Sequence, residues 1–129
     1  MSLAVVSAQT SRSVWDGVYT AEQARRGATA YANLCASCHG LALTGGESAP
    51  PLTGGEFLSN WSSLTMGDLF DRIRTTMPAD QPGHITREQN SDILAHILNV
   101  GGFPPGTSEL RARTEVLKDI RIDATRPVR

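Results

Sequence analysis

Two cysteines and a histidine fall within five consecutive residues, Cys35-Ala36-Ser37-Cys38-His39. Thiols at this spacing can each add across one vinyl group on the same edge of a porphyrin, and the adjacent imidazole then lies against one face of the ring and binds its iron. Covalent haem attachment is therefore the first chemistry this run suggests. Three other readings compete, a coincidence of residues being one. A thioredoxin-like redox pair needs strand–helix–strand surroundings, and no strand pattern precedes the motif. A zinc site needs four ligands, and the sequence holds no further cysteine and no second Cys/His pair spaced to complete one.

An iron held by His39 has a second axial position, for which Met66, Met77, His84 and His96 are the candidates. A thioether suits iron in an electron-rich, high-potential haem. Met77 is preferred: it lies in a loop and is followed by Pro78, which stiffens the segment. Met66 falls in the first turn of an expected helix. His96 sits inside another helix beside Ala95 and Ile97, where a core or surface histidine is the simpler reading. His84, a loop histidine near Met77, is the main rival. Pro50-Pro51 follow the motif, and the Pro50 carbonyl is a candidate acceptor for the second ring proton of His39, a plain turn being the alternative. Trp61 is a candidate donor to a haem propionate, with Arg72 and Arg74 as counter-charges, because a buried propionate without partners is costly. Simple packing of the indole and solvation of the two guanidiniums are the alternatives.

These residues have to be positioned by helices and turns. Thr20 and Gln23 form a capping-box pattern ahead of a helix from Ala21 to about Leu34, with Ala24, Gly27, Ala28, Tyr31 and Leu34 on one face. That helix runs directly into the cysteine pair. Residues Gly40 to Gly55 hold five Gly and two Pro and read as loop. Phe57 to Ser63 is short and mixed. A second helix is predicted from Leu64 to Thr75, with Leu69, Phe70 and Ile73 as its apolar set, stopping at Met77-Pro78. A third runs from Thr86, with Gln89 as its box partner, to Asn99, and carries Ile93, Leu94, Ile97 and Leu98. Gly101-Gly102 ends it and Pro104-Pro105 forbids a restart. A last short helix is expected between Thr114 and Asp119. The fold class that results is all-α: three main helices and Gly/Pro-rich loops around one haem.

With 129 residues the chain fits one domain. The expected division is a lead-in over 1–13, a core domain over 14–105 and a C-terminal extension over 106–129. Val6-Ser7-Ala8 suits the small-residue rule of export cleavage, so the lead-in is read either as the remnant of an export signal or as an unstructured end. Aromatic residues make up only 5% of the chain, a shortage that makes sense if a large apolar macrocycle fills part of the interior. The net charge of −1 gives no general affinity for nucleic acid or for anionic membrane. Residues 1–100 carry six Arg against nine Asp/Glu, and residues 101–129 six Arg/Lys against four Asp/Glu. The basic end reads as a solvated tail, with contact to an acidic partner as the alternative. No apolar run reaches 18 residues, so no membrane span is expected.

The order Gly27-x-x-x-Tyr31, Cys35-x-x-Cys38-His39, Pro50-Pro51-Leu52, Met77-Pro78 and a closing apolar helix resembles the class I cytochromes c. The stretches Val14-Trp15-Asp16-Gly17-Val18-Tyr19-Thr20 and Arg72-Ile73-Arg74-Thr75-Thr76-Met77-Pro78 are similar to the monohaem modules associated with bacterial quinoprotein dehydrogenases. The resemblance covers residues 14–105. It implies that Gly27 and Tyr31 sit where the first and last helices cross, with tyrosine packing against Leu94 and Leu98. It also implies that Pro50 takes the His39 ring proton and that Met77 binds iron. His96 departs from the pattern by standing where such modules often carry an aromatic, and residues 107–129 extend past the usual end.

The function expected is that of a single-electron carrier with one haem c, covalently held by Cys35 and Cys38 and ligated by His39 and Met77. Its partners would be redox proteins, a quinoprotein dehydrogenase or a terminal oxidase among them. Iron held on both faces leaves outer-sphere transfer as the chemistry, so no enzyme activity is expected. Covalent haem c is normally assembled outside the cytoplasm, which makes a periplasmic or exported monomer the expectation. The alternative is a haem enzyme or gas sensor in which the sixth position is labile or vacant.

Overall fold

Two 14-residue helices, α1 (Ala21–Leu34) and α5 (Arg87–Val100), cross closely at the centre of the protein. In the computed structural model, which describes residues 12–128, the crossing is set by Gly27. A Cβ on Gly27 would stand 1.7 Å from the Asp92 carbonyl oxygen, so only glycine lets the two backbones approach this far. Around the crossing lie Ala24, Tyr31, Ile93, Leu94, Ile97 and Leu98, all buried, which form one core with residues from the rest of the chain. The expected place of Gly27 and Tyr31 in the crossing agrees with this packing.

Both helices begin at a capped threonine. Thr86 and Gln89 form the reciprocal capping box expected of them. At α1 the box is only half made. Thr20 Oγ1 accepts from the Gln23 amide at 3.0 Å, but the Gln23 side chain does not reach back. Instead it turns to the C-terminal extension, where its amide donates to the Leu110 carbonyl at 3.0 Å and its oxygen accepts from the Leu110 N–H at 2.8 Å. Both polar atoms of a buried side chain are thereby satisfied by the backbone of one distant residue.

Between these helices come α2 (Ala36–His39), α3 (Gly54–Trp61) and α4 (Met66–Thr76), and after them α6 (Thr114–Leu117). Helix α4 starts two residues later than its apolar pattern predicts, because Thr65 caps it in a full box with Asp68. It ends at Met77, before Pro78, as expected. Helix α3 departs from the expectation of loop through Gly55 and a short, mixed stretch from Phe57 to Ser63: the eight residues Gly54–Trp61 coil there and bury Phe57. Three main helices therefore carry the architecture, with three shorter ones between and after them.

The chain ends are tied together. Strand β1 (Arg12–Ser13) pairs in parallel with β2 (Ile120–Arg121), in register Arg12 to Ile120 and Ser13 to Arg121. Arg12 and Ser13 had been assigned to the lead-in; they form the first strand of this ladder. The remainder of that segment, residues 1–11, lies outside the described residues. Helix α6 packs on α4 so closely that a Cβ on Gly67 would meet the Thr114 carbonyl oxygen at 2.7 Å. Leu110, Leu117, Ile120 and Ile122 of the extension are buried in the common core. No helix among the described residues is long and apolar enough to cross a membrane.

Candidate functional site

Helix α1 delivers Cys35 at its C-cap, and the same residue opens the single turn of α2. The Cys38 and His39 amides both donate to the Cys35 carbonyl, at 3.2 and 3.0 Å. This turn gathers the two thiols and the imidazole at one end of α1, with Cys38 exposed, Cys35 half-buried and His39 only 7% exposed. Both cysteines are free thiols. Burial pushes the Cys35 thiol up to about 11, so it is a neutral thiol at ordinary pH. A thioredoxin-like nucleophile requires the opposite shift, toward the thiolate. A strand does precede the motif, against expectation, but β1 is two residues long, has seven residues between it and α1, and pairs only with β2 near the far end of the described chain.

His39 Nδ1 lies 2.8 Å from the Pro50 carbonyl oxygen. A carbonyl only accepts, so Nδ1 carries the ring proton and Nε2 keeps its lone pair free for a metal. The loop that brings Pro50 here folds on Gly45, whose φ of +81° and close contact with the Pro50-Pro51 peptide both exclude a side chain. The Gly45 amide donates to the His39 carbonyl at 2.8 Å, and the Leu52 amide to the Leu43 carbonyl at 2.8 Å. The Gly/Pro content seen in the sequence is thus a loop that folds back onto the histidine it follows.

Met77 caps α4 with its amide on the Ile73 carbonyl at 3.0 Å, and its side chain is half-buried against the core. Trp61 ends α3, likewise half-buried against the core. Leu34, Leu52 and Leu58 share this partly covered, apolar condition, and Leu52, Phe57, Leu58, Ile97 and Phe103 line an apolar cavity of about 120 Å³. Arg72 is exposed on α4. Arg74 makes an ion pair with Asp71 at 3.2 Å on its own helix, and Asp71 accepts from Thr114 Oγ1 at 2.7 Å. These two partners hold the Asp71 carboxyl below the usual carboxylate range, the Thr114 hydrogen bond contributing most. The geometry therefore joins His39 to Pro50 and to the two cysteines. No hydrogen bond or ion pair among the described residues links Trp61, Arg72 or Arg74 to that group.

One contact at the site was not read from the sequence. Tyr31, fully buried, donates its hydroxyl to the Gly40 carbonyl at 2.6 Å, immediately after His39. Its ring meets that of His96 with centroids 5.2 Å apart and planes at 52°, so His96 takes up the aromatic position in which it was expected to be anomalous.

The sequence family described as cytochrome c oxidase, cbb3-type, subunit III matches residues 22–97, more than half of the chain. The chain belongs to this family, and with its helical architecture it has the class I c-type cytochrome fold. Among solved structures it is similar to the sulfane dehydrogenase SoxCD from Paracoccus pantotrophus, with a TM-score of 0.54 and 22% identity over 83% of this chain. It spans 61% of that chain, and the likeness is one of fold. No curated protein sequence matches it. A cytochrome c domain implies a covalently held haem c, and the residues present fit that group: two free thiols one turn apart, an adjacent imidazole whose Nδ1 is already engaged by Pro50, and half-covered apolar side chains nearby. Electron transfer is the role such a domain carries.

Proposed function

We propose that this protein is a single-electron carrier whose one haem c is attached through Cys35 and Cys38, with His39 and Met77 as axial ligands. The observation that carries the reading is the 2.8 Å contact between His39 Nδ1 and the Pro50 carbonyl, directly beside two free thiols. That hydrogen bond fixes the tautomer, turns Nε2 outward as the donor and raises its basicity. When bound, the haem supplies a one-electron couple at its iron. Met77, at the rigid end of α4, is the proposed second ligand, and a soft sulfur favours the reduced form. Trp61, Arg72 and Arg74 are proposed as propionate partners; Arg74 would have to exchange its Asp71 contact to serve.

The proposed donor is a dehydrogenase and the proposed acceptor a respiratory oxidase, in keeping with the descriptions of the matching family and fold. The proposed site of action is the periplasm, where haem c is assembled. Visible spectra of the exported protein test the ligand set. A low-spin reduced spectrum, a thioether-to-iron band in the oxidised form, and no change under carbon monoxide are expected. Loss of the thioether band in Met77→Ala, with carbon monoxide then binding, assigns the sulfur. A high-spin wild-type spectrum with ready carbon monoxide binding overturns the reading in favour of a haem enzyme or gas sensor.

A further inference from the structure

We propose that Tyr31 is a positioning residue for His39, acting through the backbone of Gly40; this rests on the reading of His39 as an iron ligand. A buried phenol needs a partner for its hydroxyl, and here that partner is one peptide beyond the histidine. The Gly40 carbonyl accepts from Tyr31 at 2.6 Å and from the Leu43 amide at 3.1 Å. The Gly40 amide donates to the Ala36 carbonyl at 2.8 Å and closes α2. His39 is thereby held at its ring by Pro50, at its carbonyl by Gly45, and one residue further on, at the Gly40 carbonyl, by Tyr31.

The three grips differ in what stands behind them. Pro50 and Gly45 belong to the same Gly/Pro-rich loop and move with it. Tyr31 belongs to α1, which is locked against α5 by the Gly27 approach and by the His96 ring. Together with the His39 amide on the Cys35 carbonyl at the end of α1, this grip refers the histidine to the rigid crossing. Burial also pushes the Tyr31 hydroxyl up to about 12, so it stays protonated, and a donor, over the whole working range of pH.

Tyr31→Phe keeps the ring and removes the donor. The Gly40 carbonyl is then left to Leu43 alone, and the Gly40–Leu41 peptide, the second one after His39, gains freedom to rotate. Loosening there weakens the Nδ1–Pro50 bond, makes the imidazole a poorer donor and favours ferrous iron. The test is a redox titration of the haem-loaded wild type, Tyr31→Phe and Ile93→Val. Tyr31→Phe is expected to raise the ratio of reduced to oxidised protein several-fold at a fixed poise. Ile93→Val, a core trim in the same crossing, is expected to lower the melting temperature and leave that ratio in place. An unchanged ratio in Tyr31→Phe overturns the proposal while leaving the electron-carrier reading intact. A wild type without a His-ligated low-spin haem overturns both. Should Tyr31→Phe fail to accumulate, proton NMR of the reduced wild type decides: a slowly exchanging Tyr31 hydroxyl proton in contact with Gly40 supports the grip, and fast exchange with water overturns it.

Discussion

At Gly27 one hydrogen atom separates a working crossing from a clash. Alanine there would place its Cβ 1.7 Å from the Asp92 carbonyl oxygen, and that oxygen belongs to a helix backbone that cannot yield alone. Gly27→Ala is expected to push α1 and α5 apart and to cost more than the ~1–3 kcal/mol usual for overpacking. Thermal unfolding followed by circular dichroism would show it, and a melting temperature within a degree or two of wild type would refute the account. The residue was legible through the resemblance to the class I cytochromes c, in which Gly27-x-x-x-Tyr31 is one of the matching stretches. So was the His39–Pro50 pairing, since a ligand imidazole calls for an acceptor and a proline loop lies within reach. The Tyr31–Gly40 bond was not, because side-chain spacing along a helix says which face a residue occupies and nothing about where its terminal oxygen lands.

Among the helices, His96 gives the crossing a pH dependence. Its imidazole sits on α5 against the Tyr31 ring, one turn beyond Asp92, which is itself engaged by Arg26 of α1. Burial holds its pKa below the ordinary histidine value, so between that depressed value and the unfolded value of about 6.5 the unfolded chain binds the extra proton. Stability from this group is complete above pH ~6.5 and is lost as pH falls through the folded value. The melting temperature is expected to drop from pH 7.5 to pH 5.5 in the wild type and to flatten over that window in His96→Phe, which keeps the ring contact. An identical drop in the variant would assign the effect elsewhere. Further loss under more acid conditions is expected from Asp71 and Glu109, whose carboxyls are held low by Thr114 and Arg26 respectively. The long helices were readable because their apolar stripes and caps agree. Helix α3 was missed because eight residues containing two Gly, three polar side chains and one buried Phe give too little periodicity. The half-box at Thr20 was misread because the sequence cannot show that Leu110, 87 residues away, competes for Gln23.

Taken as one molecule, the protein is closed by a segment that lies beyond the matched part of the family, which ends at residue 97. From residue 106 the chain returns across α1, where Gln23 clasps Leu110 and Arg26 meets Glu109 at 2.7 Å. It then crosses α4, where Thr114 reaches Asp71, and finishes beside β1, where the Trp15 indole donates to the Asp123 carbonyl at 3.0 Å. The Arg26–Glu109 pair is exposed and is worth ~0–1 kcal/mol, so salt should barely loosen this strap. Its hold comes from Leu110, Leu117, Ile120 and Ile122, each buried, at ~1.5–3 kcal/mol per side chain as an upper estimate. Four such side chains rival the ~5–15 kcal/mol by which a domain is stable at all. A chain ending at residue 106 is therefore expected to lose its cooperative unfolding transition, while 1 M salt leaves the full chain's denaturant midpoint nearly in place. If the shortened chain unfolds cooperatively at the original midpoint, the strap is an appendage. If instead salt alone shifts the midpoint strongly, the ion pairs rather than the buried side chains hold it.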